Sequence, residues 1–378
     1  MHDCQLSVCY MVKNEAANLS VSLKSIKDTA DEIIVVDTGS TDDTKKIAAS
    51  FGTKIFDFPW CDDFSAPRNY AIERARGKWI LFLDADEYFQ EPLDRMKLLE
   101  YLQTLRGKDG VLLLLRNIEP LDNKISWNTD WCLRLFRNNP ELRYHGRIHE
   151  NIVKMNGHLQ VAYGPEEFCL LHTGYASSLS EEKSRRNLEL IEAAIREEGW
   201  QPAYDYYMMD CYFGLHQYEK TLQHAKRFLA GDCFVYGGDS HVYHMILECM
   251  RAMKLSDEEM LCWAEEARQK YPTLPEFYAE KGMILCGLGR LLEARQQLIE
   301  ALLHYEQHTA DKRQGSYFSP LVAAKTAARL GEIAMRYDDV DEAVIWFKQA
   351  MEYCDTDENV TAKVKEFLNW AKNKGFIS

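Results

Sequence analysis

The sequence has little of what nucleic-acid-binding or membrane-spanning proteins need. Its 45 Lys and Arg residues are outnumbered by 59 Asp and Glu residues, the formal net charge is -14, and no basic patch stands out. Its longest hydrophobic run, residues 111–115, is far too short to cross a bilayer, and no basic region followed by a long apolar run opens the chain. These absences predict a soluble protein without a transmembrane segment that binds no nucleic acid.

The sequence also lacks any C-x-x-C pair. Its 11 cysteines are scattered without regular spacing. An odd, irregular set is typical of reduced thiols in a reducing compartment rather than of a disulfide framework, so we expect a cytoplasmic protein. With 378 residues and a hydrophobic content of 46%, the chain is long enough for two domains that each have a core.

What is present in the first half is an alternation of apolar, strand-like runs with helical stretches. It begins with residues 6–12, 17–29, 32–37 and 41–51. Further strands are expected at residues 54–58, 79–83 and 111–117, with a helix over residues 66–76. Such alternation predicts a parallel sheet with crossover helices.

The stretch ILFLDADE, residues 80–87, places two acids directly after one of these strands. Open α/β sheets bind ligands beyond the carboxyl ends of their strands, where Asp84 and Asp86 would lie. Carboxylates at such a position can hold a divalent metal and leave coordination sites open for a diphosphate. The alternative is that these acids simply end a strand. Glu87 is expected to orient the pair.

A second acid, Asp37, ends the strand in EIIVVDTGSTDDT. It could cap the following helix, but Ser40 and Thr41 are expected to do so. Asp37 would then be free to accept a hydrogen bond from the imide N–H of a base at a switch between strands.

The segment WCLRLFRNNPELRYHGRIHE, residues 131–150, concentrates ionisable side chains. They are Arg134, Arg137, His145, Arg147, His149 and Glu150. The two His have the i, i+4 spacing of a zinc pair, but there is no H-E-x-x-H pattern and Gly146 disfavours a helix. We therefore expect this segment to line a site and not to bind zinc.

From about residue 178 onward the strand signals disappear and Ala-, Leu-, Glu- and Lys-rich helical spacing takes over. Two segments align at a step of about 34 residues, with Ala264 matching Leu298 and Ala267 matching Ala301. Small residues recur where helices would pack closely. The pattern resembles tetratricopeptide repeats, with a plain helical bundle as the alternative. The predicted domains are residues 1–177 and 178–378.

The motifs SVCYMVKNEAANL, EIIVVDTGSTDDT and DDFSAPRNYAIERARGKWILFLDADE resemble those of family 2 glycosyltransferases with the GT-A fold, over roughly residues 5–175. The resemblance implies a Rossmann-like, mostly parallel α/β domain followed here by an all-α repeat domain. It also implies an inverting transferase that uses a UDP-sugar.

The resemblance further implies roles for single residues. Residues from Met11 to Glu15 would line the nucleotide, Asp37 would hold the uracil, and Arg68 would lie near the base or diphosphate. Asp84 would contact the ribose or sugar, and Asp86 would ligate the metal.

Two later residues complete this assignment. Related enzymes carry a similar His-Glu after a basic, aromatic stretch, which makes Glu150 the candidate base that takes the acceptor's proton, with Asp130 as the runner-up. A salt bridge from Glu150 to Arg147 is the structural alternative. By the same resemblance, His172 would complete a Mn2+ or Mg2+ shell opposite the acids, and an imidazole suits Mn2+ better. The alternative for His172 is a buried side chain bonded to backbone.

A family 2 domain followed by tetratricopeptide-like repeats is similar to the bacterial S-glycosyltransferases that modify Cys or Ser of ribosomal peptides. We therefore expect transfer of glucose or N-acetylglucosamine to a peptide or protein side chain, with the acceptor docked on the concave surface of the repeats. A homodimer formed through the repeats is a further expectation. One alternative is a saccharide or lipopolysaccharide-type acceptor. The other is an inactive transferase-derived scaffold that binds partners through its repeats.

Overall fold

The computed structural model describes residues 4–118, 126–173, 181–231, 233, 235, 239–307, 316 and 318–376. By internal contacts the chain divides into two compact units. The first is made of residues up to 120 together with Asp130–Leu215, and the second consists mainly of His216–Ser378. The domain boundary predicted between residues 177 and 178 lies outside the described residues.

The first unit is built on a mixed sheet. Its strands are β1 (Leu6–Val12), β2 (Glu32–Asp37), β3 (Lys54–Asp57), β4 (Trp79–Leu83), β5 (Glu87–Phe89), β6 (Gly110–Ile118), β7 (Ser126–Arg137), β10 (Val161–Tyr163) and β11 (Leu170–His172). β8 (Leu142–His145) and β9 (Asn151–Lys154) form a separate antiparallel hairpin. Along the sheet the order is β3-β2-β1-β4-β7-β6-β11-β5, and β10 pairs with β6.

The strand order creates the position where a ligand would bind. β1 pairs in parallel with both β2 and β4, so the chain first builds the sheet outward on one side of β1 and then crosses to the other. Such a reversal leaves a crevice at the carboxyl ends of the central strands. Val12, Asp37 and Leu83 end these three strands and therefore border that crevice.

Helices and apolar strands bury the core of this unit. The helices are α1 (Leu19–Ile26), α2 (Thr44–Ser50), α3 (Ser65–Ile72), α4 (Arg95–Thr104), α5 (Glu181–Glu198) and α6 (Ala203–Gly214). All residues of β4 are buried, as expected for a strand covered on both faces. One core cluster contains Leu6, Leu19, Leu23, Leu81 and Leu113 on one face of the sheet.

The second unit is built mainly of helices. It contains α7 (Tyr218–Ala230), α8 (Asp239–Ala252), α9 (Asp257–Lys270), α10 (Pro275–Gly287), α11 (Leu291–Glu306), α12 (Pro320–Arg336), α13 (Val340–Tyr353) and α14 (Glu358–Asn373). Small residues permit the close helix contacts that the repeat pattern predicted. A Cβ at Gly331 would lie 2.6 Å from the ring of Phe347, and one at Gly282 would lie 2.6 Å from Leu298.

The predicted fold class, a mostly parallel α/β domain followed by helices, is confirmed by this architecture. β1, β2 and β4 have the predicted bounds, while α1, α2, β3 and α3 are each shorter than expected. No helix among the described residues is both long and apolar enough to cross a bilayer.

Candidate active site

Asp84 lies at the centre of the site, between two arginines. Its Oδ1 accepts from Nη2 of Arg68 at 2.8 Å, and its Oδ2 accepts from Nη2 of Arg134 at 2.9 Å. Burial alone would raise the pKa of Asp84, but the charges of Arg68 and Arg134 outweigh that effect and lower it well below its usual range. Asp84 is therefore ionised, and each of its oxygens already has a cationic partner.

Register explains how Arg134 reaches this point. β7 runs antiparallel to β4, with Leu81 opposite Leu135, so Arg134 lies one step closer to the carboxyl end of β4. Arg134 also contacts Glu87, whose side chain is 1% exposed. Burial raises the pKa of Glu87, while the charge of Arg134 opposes that rise. Glu87 in turn accepts from the backbone N–H of Asp84 at 3.2 Å.

Arg68 connects Asp84 to the candidate base. Its Nε lies 2.6 Å from Oε1 of Glu150, and its side chain is 7% exposed. The guanidinium also lies over the rings of Phe82 and Tyr144, at 4.8 and 5.3 Å from their centroids. The expected alternative partner of Glu150, Arg147, instead pairs with Glu197. Glu150 therefore forms a salt bridge with Arg68 and not with Arg147.

Asp86 and His172 form a second pair. Nε2 of His172 lies 3.3 Å from Oδ2 of Asp86. β11 pairs with both β5 and β6, which places His172 opposite Glu87 and Asn117, and its Nδ1 lies 2.6 Å from Oδ1 of Asn117. Burial would lower the pKa of His172, but the hydrogen bond and charge of Asp86 raise it. The backbone-bonded alternative for His172 is therefore not what the structure shows.

This donor set fits a divalent metal. A carboxylate and an imidazole are suitable ligands for Mn2+, and Asn117 would fix the tautomer and orientation of the ring, as neighbouring groups do at metal sites. Asp84 is the less suitable ligand, because both of its oxygens are held by arginines. Asp86 and His172 are thus the residues that would hold the ion.

Asp37, at the carboxyl end of β2, borders the crevice and is 1% exposed. Its Oδ1 accepts from the backbone N–H groups of Gly39 and Ser40 at 3.0 and 2.9 Å. Its Oδ2 is buried and has no hydrogen-bond partner within the described ranges. A buried carboxylate oxygen is costly to leave unpaired, so a ligand N–H would satisfy it.

The expectation that Ser40 and Thr41 cap the next helix is wrong. α2 begins at Thr44, and Oγ of Ser40 instead accepts from the backbone N–H of Asn14. Oδ1 of Asn14 accepts from the N–H of Thr41, so these residues tie the end of β1 to the loop after β2.

Two of the residues expected to line the nucleotide, Met11 and Glu15, lie on β1 and just beyond its end. Met11 is half-buried on β1 and pairs with Val36. Glu15 accepts from the amide of Asn18 at 2.9 Å. Burial raises the pKa of Glu15, and the charges of Asp86 and Asp84 raise it further.

The remaining ionisable residues of segment 131–150 are divided among other tasks. His145 is exposed, whereas the ring of His149 stacks on Tyr207, so the two do not form a metal pair. Arg137 donates to the backbone oxygens of Lys108 and Leu105. Asp130, the other candidate base, lies on β7 at an even spacing from Arg134 and so on the same face of that strand.

Sequence reasoning did not assign roles to Asn117 or Lys183. Asn117 is buried on β6 in a run of apolar residues, and a polar residue there was the available signal. Lys183 lies in the first turn of α5. Burial lowers its pKa, while the charges of Asp86 and Asp84 oppose that shift.

Parts of the chain are similar to known proteins. The family model for glycosyl transferase family 2 matches residues 7–158. A tetratricopeptide repeat-containing protein of Synechococcus elongatus is 39% identical over 150 residues, which is 39% of this chain but only 35% of that protein. Glycosyltransferase SunS of Bacillus subtilis is 25% identical over 325 residues, or 82% of this chain and 74% of SunS.

Two solved structures resemble parts of the chain more remotely. Glucosyl-3-phosphoglycerate synthase from Mycobacterium tuberculosis, in complex with Mn2+, UDP and phosphoglyceric acid, is 25% identical, with a TM-score of 0.26 over 32% of this chain and 44% of that one. A tetratricopeptide repeat protein of Thermus thermophilus is 17% identical, with a TM-score of 0.35 over 50% of this chain and 91% of that one.

The family match spans β1 to the β8–β9 hairpin and thus contains Asp37, Arg68, Asp84, Asp86 and Glu150. His172 and Lys183 lie beyond it. The chain carries a glycosyltransferase family 2 domain, joined to a helical unit of repeat-like packing.

Proposed function

We propose that this protein is an inverting glycosyltransferase. It moves a sugar, glucose or N-acetylglucosamine, from a UDP-sugar to a side chain of a peptide or protein. Mn2+ or Mg2+ would be held by Asp86 and His172. The observation that carries the proposal is the continuous chain of charges from Glu87 through Arg134, Asp84 and Arg68 to Glu150.

The residues divide the work as follows. Asp37 accepts the imide N–H of uracil with its unpaired Oδ2. Arg68 and Arg134 present positive charge beside the bound donor, where a departing diphosphate gains negative charge. A metal ion at Asp86 and His172 neutralises that diphosphate when bound.

The transfer itself is a direct displacement. The acceptor forms a bond to the anomeric carbon while the bond from that carbon to the diphosphate oxygen breaks, and UDP leaves with that electron pair. Glu150 takes the acceptor's proton, and its contact with Arg68 holds the carboxylate in one place before the acceptor arrives. Attack opposite the leaving group inverts the anomeric configuration.

The donor half of the proposal is tested by calorimetric titration of UDP and GDP, with and without Mn2+, together with sugar-transfer rates. Asp86→Ala should lose metal-dependent UDP binding and on the order of 100- to 1000-fold in rate, because charge neutralisation in the transition state is lost. Glu91→Ala is the matched control, since Glu91 is an exposed acid in the same unit. An Asp86→Ala variant with wild-type turnover would remove the metal role of Asp86. Absence of any nucleotide binding would favour the inactive scaffold.

The acceptor half rests on the similarity to bacterial peptide S-glycosyltransferases and on the helical second unit. Packed helix pairs form extended surfaces that suit peptides. We propose that the acceptor docks on α7–α14, in the cytoplasm, and that these helices also support a homodimer.

Hydrogen exchange of the full-length protein, with Cys- and Ser-containing peptides and with oligosaccharides in turn, tests this docking. Protection of α7–α14 by peptide alone supports the proposal. Protection by oligosaccharide alone favours the saccharide acceptor. Light scattering measures the oligomeric state, and a monomer at micromolar concentration contradicts the dimer.

A further inference from the structure

The segment that carries Glu150 is a short loop between the strands of the β8–β9 hairpin. We name residues 146–150 the Glu150 loop. Two of its backbone oxygens are held from the α3 side, because Oγ of Ser65 donates to the oxygen of Gly146 at 2.6 Å and the N–H of Phe64 donates to that of Arg147 at 2.8 Å. These bonds fix the start of the loop but not its end.

The other side of the loop faces the α5–α6 helix pair. Three consecutive side chains contact it. Arg147 pairs with Glu197, Ile148 packs with Leu190 and Ile191, and His149 stacks on Tyr207. Glu150, the next residue, extends instead toward Arg68. The α5–α6 helix pair thus contacts all three residues that precede the candidate base.

The stack on Tyr207 is unusually well aligned. The ring centroids are 3.9 Å apart and the rings are only 3° from parallel. Nε2 of His149 is buried and has no hydrogen-bond partner in the described part of the chain, so packing rather than a bond at that atom orients the ring. Burial lowers the pKa of His149 to about 4, with the charge of Asp210 opposing the shift, and the ring is therefore neutral.

The backbone of His149 shows why such a restraint is needed. Its φ is +53°, in the left-handed region that residues with a Cβ rarely adopt. A relaxed His149 would turn the following peptide and move the Glu150 carboxylate away from Arg68. Residues held in sparsely populated backbone regions persist only where their surroundings over-determine them.

We propose that Tyr207 is a positioning residue for Glu150. Its ring clamps His149 in the left-handed conformation, and that conformation directs the Glu150 carboxylate to Arg68 and to the acceptor. The inference rests on the proposed function, in which Glu150 takes the acceptor's proton. It makes the α5–α6 helix pair part of the catalytic apparatus, although neither helix supplies the base.

The test uses the full-length protein and compares Tyr207→Leu, Tyr207→Phe and Glu150→Gln. Misplacement of a reacting group by about 1 Å can cost on the order of 100-fold, so kcat of Tyr207→Leu should fall at least about tenfold. The Kd for UDP with Mn2+ should not change, because Arg68 keeps its partner Asp84 and the metal residues Asp86 and His172 are not part of the Glu150 loop. Tyr207→Phe keeps the flat ring and should restore most of kcat.

The first unit offers a matched control. The ring of Tyr101, on α4, makes an edge contact with that of Phe168, with 5.8 Å between the ring centroids. Tyr101→Leu removes a tyrosine from an aromatic pair that adjoins no candidate base. Its kcat should equal that of the wild type.

A second variant guards against simple unfolding. His149→Ala removes the other half of the stack, and melting temperatures are recorded for every variant. If Tyr207 positions Glu150 through its stack on His149, the double variant His149→Ala/Tyr207→Leu should lose no more kcat than either single variant. Losses that multiply would show that the two residues act independently and would overturn the inference.

The outcomes also separate this inference from the proposed function. If Glu150→Gln keeps kcat, the assignment of Glu150 as the base fails, whatever Tyr207 does. If Glu150→Gln is impaired while folded Tyr207→Leu or His149→Ala is fully active, only the positioning role fails. A lowered kcat accompanied by an equally weakened Kd for UDP would indicate general damage to the site and would also refute it.

Discussion

Replacement of Arg134 by Met tests whether its positive charge holds the two buried acids of the site. Arg134 contacts both Glu87 and Asp84, and its side chain is 17% exposed. After the substitution Asp84 keeps its partner Arg68, but Glu87, which is 1% exposed, loses the charge that compensates it. Met preserves much of the volume, so the change is mainly electrostatic.

The magnitude follows from the burial of Glu87. Removal of one partner from a buried ion pair costs about 3–5 kcal/mol. In a domain of this size a loss of 1 kcal/mol lowers the melting temperature by roughly 2–4 °C, so Arg134→Met should melt about 6–20 °C below the wild type. Differential scanning calorimetry of the full-length protein provides the measurement, with the second unit as internal reference.

A second substitution distinguishes charge from packing. Glu87→Gln removes the uncompensated charge, so the double variant Arg134→Met/Glu87→Gln should recover about 1–3 kcal/mol of the loss. If the double variant is no more stable than Arg134→Met, or if Arg134→Met costs less than about 1 kcal/mol, the electrostatic account of the site is refuted.

The same variant should respond to pH in a defined direction. Burial already raises the pKa of Glu87 above its ordinary value, and loss of Arg134 removes the charge that opposes this rise. A carboxyl with a raised folded pKa contributes stability below its unfolded pKa and loses it as pH rises through the folded value. The loss in free energy of unfolding caused by Arg134→Met should therefore be larger at pH 8 than at pH 5. An equal deficit at both values would contradict the reasoning.

Three further substitutions have defined outcomes. Asp37→Asn should weaken UDP binding at least about tenfold, as measured by calorimetry. If the amide oxygen of the new side chain accepts from the N–H groups of Gly39 and Ser40, its NH2 group faces the imide N–H of uracil, and two donors cannot form a hydrogen bond. Glu32→Gln should lower the free energy of unfolding by about 3 kcal/mol at pH 7. Burial raises the pKa of Glu32, but its contacts with Lys54, Ser7 and Arg76 outweigh that effect and lower the pKa to about 2. Urea titrations measure this difference in free energy of unfolding between the wild type and the variant, and it should vanish as the pH falls from 4.5 toward 2. Gly331→Ala should destabilise the second unit by about 1–3 kcal/mol, because its Cβ would lie 2.6 Å from Phe347.

The sequence predicted those features that depend on one strand and the residue after it. Asp37, Asp84 and Asp86 follow apolar runs, and parallel strands place their carboxyl ends at one edge of the sheet. β1, β2 and β4 consequently have the predicted bounds. The role of His172 was expected only from the resemblance to family 2 glycosyltransferases, because its position opposite Glu87 depends on the pairing of β11 with β5.

The contacts that depend on register could not be predicted. Arg134 reaches Asp84 because β7 is inserted antiparallel between β4 and β6, and neither its direction nor its register is encoded in the local pattern. Asn117 reaches His172 only because β11 pairs with β6. A salt bridge from Glu150 to Arg147, three residues away, was the structural alternative, but the backbone between them has a positive φ at His149, and Glu150 pairs with Arg68 while Arg147 pairs with Glu197.

The α5–α6 helix pair shows a different limit of sequence reasoning. Composition changes near residue 178 because residue types follow secondary structure, and helices replace strands there. Membership in a compact unit depends instead on which surface covers an apolar face, and Leu190, Ile191 and Tyr204 cover Ile148. A change in composition therefore indicates where the strands stop. Tertiary contacts such as that of His149 with Tyr207, 58 positions later in the chain, are what indicate that the helical segment continues the unit that contains the candidate base.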